Sequence, residues 1–331
     1  MSPSTDAPSW LHVLPVGFPS ANLIVTDEGD RVLFDSGYGS DRGRIEAALA
    51  GAGVPASTLE LVVNTHWHSD HVGGNAWLQT EHAVPVAAAS ADAKSVNSCR
   101  LDACLAEWLD QPVEQYRVDR VLLPGDLVTA GPVEWQVLAT PGHTPNHLSF
   151  YQPEEKILVL GDAVHVDDVG WINLALDGPT AIDAALGTVD NLSQLPIRVA
   201  LPGHGPVITE PAHAFAMAHA TYQKMQADPQ RAGWHACKRI FAFALMIHDG
   251  LPIDDIDTYL TSRQWLIDHA STVFHTTPAV LSAELLAEMR RAGATEERDG
   301  QLYCRTPHHR PATGWRRQSG YPGDWLGAGD P

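Results

Sequence analysis

The segment from residue 64 to residue 71 constrains this chain more than any other part of the sequence. It reads Asn-Thr-His-Trp-His-Ser-Asp-His and follows an apolar run at 59–64 that is typical of a buried strand. Four potential metal ligands fall within six positions of it: His66, His68, Asp70 and His71. Three imidazoles and a carboxylate are costly to bury together unless something pairs them. The segment therefore predicts a metal site.

Three further candidate ligands lie later in the chain, each beside a glycine and just after an apolar run. His143 stands in Thr-Pro-Gly-His-Thr, Asp162 follows Leu-Gly, and His204 stands in Leu-Pro-Gly-His-Gly. Functional side chains collect on loops that a rigid scaffold holds in place. We therefore expect these three residues to join the cluster at 66–71.

The first two thirds of the chain alternate between short apolar runs and amphipathic segments. The predicted strands are 11–16, 22–26, 31–34, 59–64, 84–88, 121–123, 127–128, 133–139, 148–151, 157–160 and 199–201. The predicted helices are 41–52, 91–116 and 180–195. This order suits two sheets packed face to face with helices outside.

The pattern becomes helical after Gly205, with segments near 212–227, 231–249, 254–275 and 279–292. Asp299-Gly300 then separates two short runs, 295–298 and 301–305, and Asp-Gly is typical of a tight hairpin. Helices followed by a hairpin predict a winged-helix-like domain. We therefore expect a first domain at 1–208, a helical domain at 209–305 and a tail at 306–331 that either wraps the protein or stays disordered.

Charge and composition limit the kinds of partner that the protein can be expected to bind. The 331 residues include 21 basic and 40 acidic side chains, for a formal charge of −19, which argues against nucleic acid and anionic membrane. No apolar stretch is long enough to span a bilayer. The four cysteines form no CxxC pair, and the first ten residues do not read as a signal peptide. We expect reduced thiols and a cytoplasmic protein.

The motif set resembles the metallo-β-lactamase superfamily in order and spacing. The resemblance rests on the cluster at 66–71, the later Pro-Gly-His, Gly-Asp and Gly-His-Gly, and the early Asp35-Ser36-Gly37, and it covers residues 11–208. It implies an α/β fold, a four-layer αββα sandwich, here with the helical winged-helix-like domain appended. It also implies a hydrolase similar to the glyoxalase II and lactonase branch.

By this resemblance His66, His68 and His143 would hold one metal, Asp70, His71 and His204 a second, and Asp162 would bridge them. Imidazole and carboxylate ligands suit zinc, two ions per chain, with iron or manganese as alternatives. The diiron flavoprotein branch has glutamate where this chain has His68. Asp35 is expected to orient a ligand histidine, the alternative being a plain turn residue. His147 is either a similar support or a structural residue.

The resemblance also implies a reaction. A hydroxide shared by the two metals would be the nucleophile, with Asp70, His66 and His68 as the catalytic residues and Asp70 orienting the hydroxide or collecting its proton. We expect a small ester, thioester or lactone as substrate. One alternative is hydrolytic dehalogenation of an electron-poor chlorinated aromatic. Another is a metal-binding sensor that recruits a partner and catalyses nothing.

Several residues are predicted to surround the substrate. His165, Trp171 and Asn173 follow Asp162, the expected bridging residue, and are expected to contact the substrate. Trp171 could instead be a packing residue. Segment 90–120 is a candidate lid. An aromatic stripe in the C-terminal helices is interpreted as core or as the interface of a homodimer: Trp234, His235, Phe241, Phe243 and Met246. Five further histidines are interpreted as structural or surface residues: His82, His213, His219, His308 and His309.

Overall fold

The computed structural model of the chain describes residues 7–312, residue 315 and residues 320–325. Its strands are β1 (Leu11–Leu14), β2 (Leu23–Thr26), β3 (Val32–Phe34), β4 (Leu61–Val63), β5 (Val86–Ala89), β6 (Arg120–Leu122), β7 (Leu127–Ala130), β8 (Val133–Ala139), β9 (Leu148–Gln152), β10 (Ile157–Gly161), β11 (Val199–Pro202), β12 (Leu251–Pro252), β13 (Thr295–Arg298) and β14 (Gln301–Cys304). Its α-helices are α1 (Arg42–Gly51), α2 (Ser69–Val72), α3 (Asn75–His82), α4 (Ser90–Asn97), α5 (Ala106–Leu109), α6 (Leu174–Asp177), α7 (Thr180–Ser193), α8 (Pro211–Ala227), α9 (Gln230–His248), α10 (Ile256–Thr261), α11 (Gln264–Asp268) and α12 (Pro278–Arg291).

Two sheets form the centre of the N-terminal region. The first has six strands in the order β1 to β6, antiparallel from β1 to β3 and parallel from β3 to β6. The second has five strands in the order β11, β10, β9, β8, β7, and only β10 and β11 pair in parallel. Parallel neighbours need crossover connections, which the intervening helices supply.

The strands are apolar on both faces because both faces are covered. In β2, Leu23 and Val25 pack in the core beneath the helices, whereas Ile24 packs between the two sheets. In β3, Leu33 packs beneath the helices and Phe34 packs between the two sheets. Side chains alternate between the faces of a strand, so a continuous apolar run serves two cores at once.

The layers follow from these cores. Helices α1, α3 and α4 cover the first sheet, and α7 and α8 cover the second, which confirms the predicted αββα sandwich. The predicted domain boundary at residue 208 falls just before α8. Phe215 and Tyr222 of α8 nevertheless share one apolar core with Ile182 and Val189 of α7, so that core continues across the boundary.

The C-terminal region contains α9 to α12 and a small sheet in the order β12, β14, β13. Phe241 and Trp265 are fully buried in its core. The predicted hairpin is confirmed, because β13 and β14 pair around Asp299 and Gly300, whose φ angles are 52° and 73°. Positive φ at both positions is what a tight two-residue hairpin turn requires. The winged-helix assignment remains a prediction.

The helix predicted at 91–116 is wrong. Helix α4 ends at Asn97, and Cys99, Leu105 and Asp110 adopt left-handed backbone conformations with φ of 48°, 49° and 58°. Contacts distant in sequence override the helical spacing: Leu109 packs in the C-terminal core, and the Trp108 indole donates to Asp268 over 2.7 Å. Leu101, which the helical pattern would bury, is 65% exposed.

The predicted helix at 254–275 is also divided. Helix α10 ends at Thr261, Arg263 is extended with φ −84° and ψ 128°, and α11 is followed by a π-helical turn at His269–Val273. The other predicted C-terminal helices match α8, α9 and α12 within one residue at each end.

Described parts of the tail pack on the N-terminal region. The backbone and ring of His309 contact Phe18 and Val16, and Trp325 is 4% exposed and donates from its indole to the Val113 carbonyl over 3.1 Å. Among the described residues, no disulfide joins any of the four cysteines, and three of them are buried. Among the described residues, no helix combines the length and apolarity needed to cross a bilayer.

Candidate metal centre

The seven predicted ligands lie just after the ends of strands from both sheets, on the loops that follow β4, β8, β10 and β11 and on the short helix α2. They are His66, His68, Asp70, His71, His143, Asp162 and His204. Backbone hydrogen bonds tie the loops together: Leu148 donates to Thr65 over 2.8 Å, and Asn22 donates to Gly203 over 2.6 Å. The two sheets thus deliver residues up to 138 positions apart in sequence to one place.

The first group consists of three imidazoles whose ring nitrogens point at one another. His66 Nε2 lies 3.2 Å from His68 Nδ1, which lies 2.9 Å from His143 Nε2. The Nδ1 atom of His143 donates to the Trp171 carbonyl over 2.7 Å. Because a carbonyl only accepts, that Nδ1 carries the proton, and Nε2 of the neutral ring presents a lone pair.

His66 also presents the lone pair of its Nε2 atom towards Nδ1 of His68. The Thr65 hydroxyl donates to Asp35 over 2.8 Å and is therefore free to accept from His66 Nδ1, 3.0 Å away. His68 Nδ1 carries at most one proton and satisfies only one of the two facing lone pairs. A cation would satisfy all three nitrogens, so the donor chemistry of the first group fits a metal ion.

The second group contains Asp70, His71 and His204. His204 Nε2 lies 3.0 Å and His71 Nε2 3.8 Å from the same oxygen of Asp70. Asp162 stands between the groups: Oδ1 is 3.4 Å from His71 Nε2, and Oδ2 is 3.7 Å from His204 Nε2 and 3.8 Å from His143 Nε2. The Nε2 atom of His71 is buried without a hydrogen-bond partner among the described residues. A second cation fits here.

Burial sets the protonation of the three imidazoles in the first group, and neighbouring charges set that of Asp162. Burial lowers the pKa of His66 and His68 well below the ordinary value and that of His143 to about 4, so all three rings are neutral at pH 7. For Asp162, burial alone would raise the pKa, but the facing His204 and His71 hold it well below its usual range. Neutral imidazole and ionised carboxylate are the forms that bind metals.

Asp35 holds the ring of His71. It accepts from His71 Nδ1 over 2.7 Å and from the backbone N–H and hydroxyl of Thr65, both over 2.8 Å. Its own backbone is left-handed, with φ 57°, a conformation that Asp tolerates better than most residues. This geometry favours the histidine-orienting interpretation of Asp35 over that of a plain turn residue, because the bond fixes the tautomer of His71.

His147 supports the backbone that carries Asp162. Its Nε2 accepts from the Asp162 N–H over 3.1 Å, and its Nδ1 lies 2.8 Å from the Thr140 hydroxyl. Burial lowers the pKa of His147 to about 3, so the ring stays neutral and Nε2 stays an acceptor. Of the two interpretations left open by the sequence, the geometry favours a support for a candidate ligand.

Two glycines let the backbone approach the candidate ligands. A Cβ atom added to Gly203 would lie 2.3 Å from Asp162 Oδ1 and 2.7 Å from His71 Cε1. One added to Gly170 would lie 2.0 Å from the Asp162 carbonyl oxygen and 2.8 Å from His143 Cγ. These contacts are too short for any side chain, so glycine is required by space at both positions.

A cavity of about 630 Å³ opens onto the cluster. Two aromatic rings flank the candidate ligands: Trp171 stacks on His68 at 5.2 Å and 8°, and Phe18 stacks on His204 at 4.9 Å and 12°. The C-terminal region contributes the charged side chains of Lys238 and Arg239 to the lining, and a larger set of apolar ones: Ile240, Phe243, Met246, Met289 and Ala294. This volume is typical of small-molecule sites.

Two of the three residues predicted to bind the substrate line the cavity, and the third does not. His165 and Trp171 line the cavity, and His165 Nε2 lies 3.3 Å from Asp162. Asn173 does not reach it. Its side chain is buried and caps α6 by accepting from the Leu176 N–H over 3.2 Å. Asn is a preferred N-cap residue, and that local role is the physical reason for the difference.

The aromatic stripe of the C-terminal helices also divides, so its single interpretation as core or dimer interface needs correction. Phe241 and Met246 belong to the core, but Phe243, together with one side of Met246, lines the cavity above the cluster. Trp234 and His235 face a different cavity. Residues of this one helix therefore face the apolar core, the cavity above the cluster and a second cavity. Helical periodicity alone does not show which residue faces which of them.

Some contributors were not anticipated. Phe18 precedes the first candidate ligand by almost fifty positions and has no local signal. Thr65 was overlooked although it precedes His66. From the candidate lid, Leu109 and Gln111 reach the cavity, and Gln111 accepts from the Ser69 hydroxyl over 2.7 Å. The five histidines interpreted as structural or surface residues lie outside the cavity lining and the ligand clusters: His82, His213, His219, His308 and His309.

Comparison with known proteins agrees with this architecture. The family model described as the metallo-beta-lactamase superfamily matches residues 14–204. Two hydroxyacylglutathione hydrolases are similar in sequence. That of Brucella anthropi is 32% identical over 124 residues, 38% of this chain and 39% of the relative. That of Idiomarina loihiensis is 26% identical over 178 residues, 54% of this chain and 55% of the relative. The match therefore spans only about two fifths to just over half of their lengths.

Solved structures give the same fold. A metallo-beta-lactamase family protein from Thermus thermophilus has a TM-score of 0.56 at 21% identity, covering 90% of this chain and 99% of its own. A subclass B3 metallo-beta-lactamase of Bradyrhizobium japonicum has a TM-score of 0.53 at 21% identity, covering 67% and 92%. Since the family model also spans more than half of the sequence, this chain belongs to the metallo-β-lactamase superfamily, a superfamily of metal-dependent hydrolases.

Proposed function

We propose that the protein is a hydrolase with two metal ions per chain, and that the ions are zinc. His66, His68 and His143 would hold the first ion, Asp70, His71 and His204 the second, and Asp162 would contact both. The observation that carries this proposal is the convergence of three imidazole nitrogens within 3.2 Å of their neighbours, beside a carboxylate that faces both groups. A proton count leaves lone pairs unsatisfied there unless cations bind.

When bound, two such ions supply an activated water and an electrophile that polarises the substrate. The chain's own residues supply the rest. Asp70 holds the ring of His204 over 3.0 Å and is the carboxylate that would take up a proton from the attacking water. Asp35 and His147 keep their partners in place, so little reorganisation is needed during the reaction.

The walls indicate the substrate class. Most of the cavity surface is apolar, with Phe18, Trp171 and Phe243 in its lining, although Asp168, Lys238 and Arg239 also reach it. A small ester, thioester or lactone with an apolar body fits such a space. Two relatives carry the name hydroxyacylglutathione hydrolase, which supports acyl-group hydrolysis as the reaction class.

The aromatic side chains that line the cavity favour a second candidate reaction. Two flat rings stacked on candidate ligands, with a third in the same lining, would hold a planar substrate against the centre. Hydrolytic dehalogenation of an electron-poor chlorinated aromatic, in which water replaces chloride, suits that shape. The sensor hypothesis explains the candidate ligands but not the cavity that opens onto them.

The test is a substrate panel run with and without a chelator. The panel holds lactones, thioesters, esters, β-lactams, phosphodiesters and chlorinated aromatics. We expect turnover of an acyl substrate that chelation abolishes and zinc restores, and its loss in His66→Ala. His213→Ala, at an exposed position on α8, is the matched control and should keep full activity. Turnover of the chloroaromatic alone would select the second candidate, and full activity in His66→Ala would refute the centre.

A further inference from the structure

A second cavity, of about 670 Å³, lies between α8 and α9 and is closed at one side by α12. We call it the α8–α9 cavity. None of the candidate metal ligands lines it. Four cationic side chains do: Lys224, Arg231, Lys238 and Arg239. Glu288 is the one carboxylate in this lining among the described residues.

This concentration of positive charge is unusual for the chain. The protein carries a formal charge of −19 and only four lysines, and two of those lysines line this one cavity. A chain so acidic repels extended polyanions such as nucleic acid. A cationic cavity within it can therefore select a small anion.

Ion pairing leaves the two lysines available. Arg231 pairs with Asp228 over 3.3 Å, Arg239 pairs with Asp168, and Glu288 pairs with Arg291 over 2.6 Å. Lys224 and Lys238, by contrast, form no ion pair with any residue that the structure describes. Two ammonium groups thus line the cavity without ion-pair partners in the described part of the chain.

Helical spacing holds these groups on facing surfaces. Arg231, His235 and Lys238 are four and three positions apart on α9, and residues that far apart share one face of a helix. Thr221 and Lys224 are three positions apart on α8. The cations are therefore set by two long helices rather than by loops, which fixes their spacing.

His235 gives a second, independent sign of a ligand. Its Nε2 lies 3.0 Å from Asp168 Oδ1, but its Nδ1 is buried and has no hydrogen-bond partner among the described residues. Because Nε2 donates to the carboxylate and burial lowers the pKa of His235 to about 4, Nδ1 of the neutral ring is an acceptor, and a hydroxyl group on a bound ligand would satisfy it. The ring lines the α8–α9 cavity beside Lys238.

We propose that the α8–α9 cavity binds a small organic dianion, either a phosphate monoester or a dicarboxylate, with Lys224 and Lys238 as its counter-charges. The volume is that of a small-molecule site. The aromatic face of Trp234, in the same lining, gives the organic part of such a ligand a surface to pack on. Lysines bind such groups as point charges, which accounts for acceptance of either acid.

Lys238 and Arg239 line both this cavity and the one above the metal centre, whereas Lys224 lines only the α8–α9 cavity. Lys224 is therefore the position that separates the two sites. Lys94, exposed on α4, is a matched control for removing a lysine elsewhere. The proposal does not depend on the reaction at the metal centre.

The test is a titration of the full-length protein with inorganic phosphate and, separately, with succinate, followed by the ring resonances of the histidines in NMR spectra. The variant His235→Gln identifies the His235 signal. We expect a saturable shift of that signal with at least one of the two anions. Lys224→Met should weaken the apparent Kd at least about tenfold, as expected for losing a charge-assisted contact, while Lys94→Met should leave it unchanged.

Two results would overturn the proposal. One is no saturable shift of the His235 signal with either anion. The other is a shift with the same apparent Kd in Lys224→Met and Lys94→Met, which would assign the anion to another site, the metal centre included. The relative affinity for phosphate and succinate indicates whether the site prefers a phosphate monoester or a dicarboxylate.

Discussion

The Nδ1 atom of His71 donates to Asp35 Oδ2 over 2.7 Å, and this bond aims the opposite ring nitrogen between Asp70 and Asp162. Asp35 also accepts two hydrogen bonds from Thr65, the residue whose hydroxyl contacts His66. One carboxylate therefore sets rings in both candidate metal groups. Such supports typically change metal affinity when they are altered.

Asp35→Asn should therefore weaken metal binding without unfolding the protein. Asparagine tolerates the left-handed backbone at this position, but its amide cannot accept from His71 and Thr65 as the carboxylate does. We expect zinc affinity to fall roughly 10- to 100-fold. Competition with a chromophoric chelator measures this, and unchanged affinity would remove Asp35 from the centre.

Gly203→Ala should disrupt the centre by crowding alone. The new methyl group would lie 2.3 Å from Asp162 Oδ1, so the carboxylate or the loop must move. We expect the variant to lose most of its bound metal. Gly187→Ala is the control, because a Cβ atom there meets nothing within 4 Å and alanine favours the helix. Equal metal content in both variants would contradict the described packing.

Phe243→Ala should raise KM more than it lowers kcat. Phe243 lines the cavity but is not itself a candidate ligand, so we expect its loss to remove contacts made equally in the ground and transition states. We expect KM to rise several-fold for an apolar substrate. Met217→Ala, at an exposed position on α8, should leave both constants unchanged. A drop in kcat alone would mean that Phe243 positions the reacting groups.

Asp92 should make the protein less stable as the pH rises. It is buried on α4 and accepts from Asn146 over 3.0 Å, and burial raises its pKa to about 7. Between its unfolded pKa near 3.8 and about 7, the folded state binds a proton that the unfolded state has released. Stability must therefore fall as the pH rises through this window.

Asp92→Asn should remove this dependence. Relative to the wild type, the free energy of unfolding of the variant should increase from pH 5 to pH 8.5, by roughly 2 to 3 kcal/mol. Urea denaturation of both proteins at matched pH values measures the difference. Asp254→Asn, at an exposed aspartate, controls for the general effect of charge removal. A difference between wild type and Asp92→Asn that stays constant with pH would show that Asp92 ionises freely in the folded protein.

The sequence predicted two sheets with helices outside because short apolar runs and the turn residues between them are local signals. Leu23, Ile24 and Val25 are apolar at three successive positions, which indicates a strand buried on both faces but not which core each side chain enters. The seven candidate ligands were also predictable, since each follows a strand, four fall within six positions and the other three adjoin a glycine.

The remaining differences arise from contacts that are distant in sequence. The helix expected at 91–116 is broken where Trp108 and Leu109 bind the C-terminal region, more than a hundred positions away. Asn173 was expected at the substrate, but it caps α6. Phe243 lies on a stripe whose periodicity could not indicate that one of its members faces the cavity.

The metal count of the purified protein tests the central claim most directly. Elemental analysis of the wild type, beside Asp162→Asn and the control Asp254→Asn, should find about two zinc ions per chain in the wild type and the control. Asp162→Asn should hold fewer, because Asp162 faces both groups. A folded wild-type protein that takes up no metal from a zinc-containing buffer, or that keeps two ions after Asp162→Asn, would contradict the account.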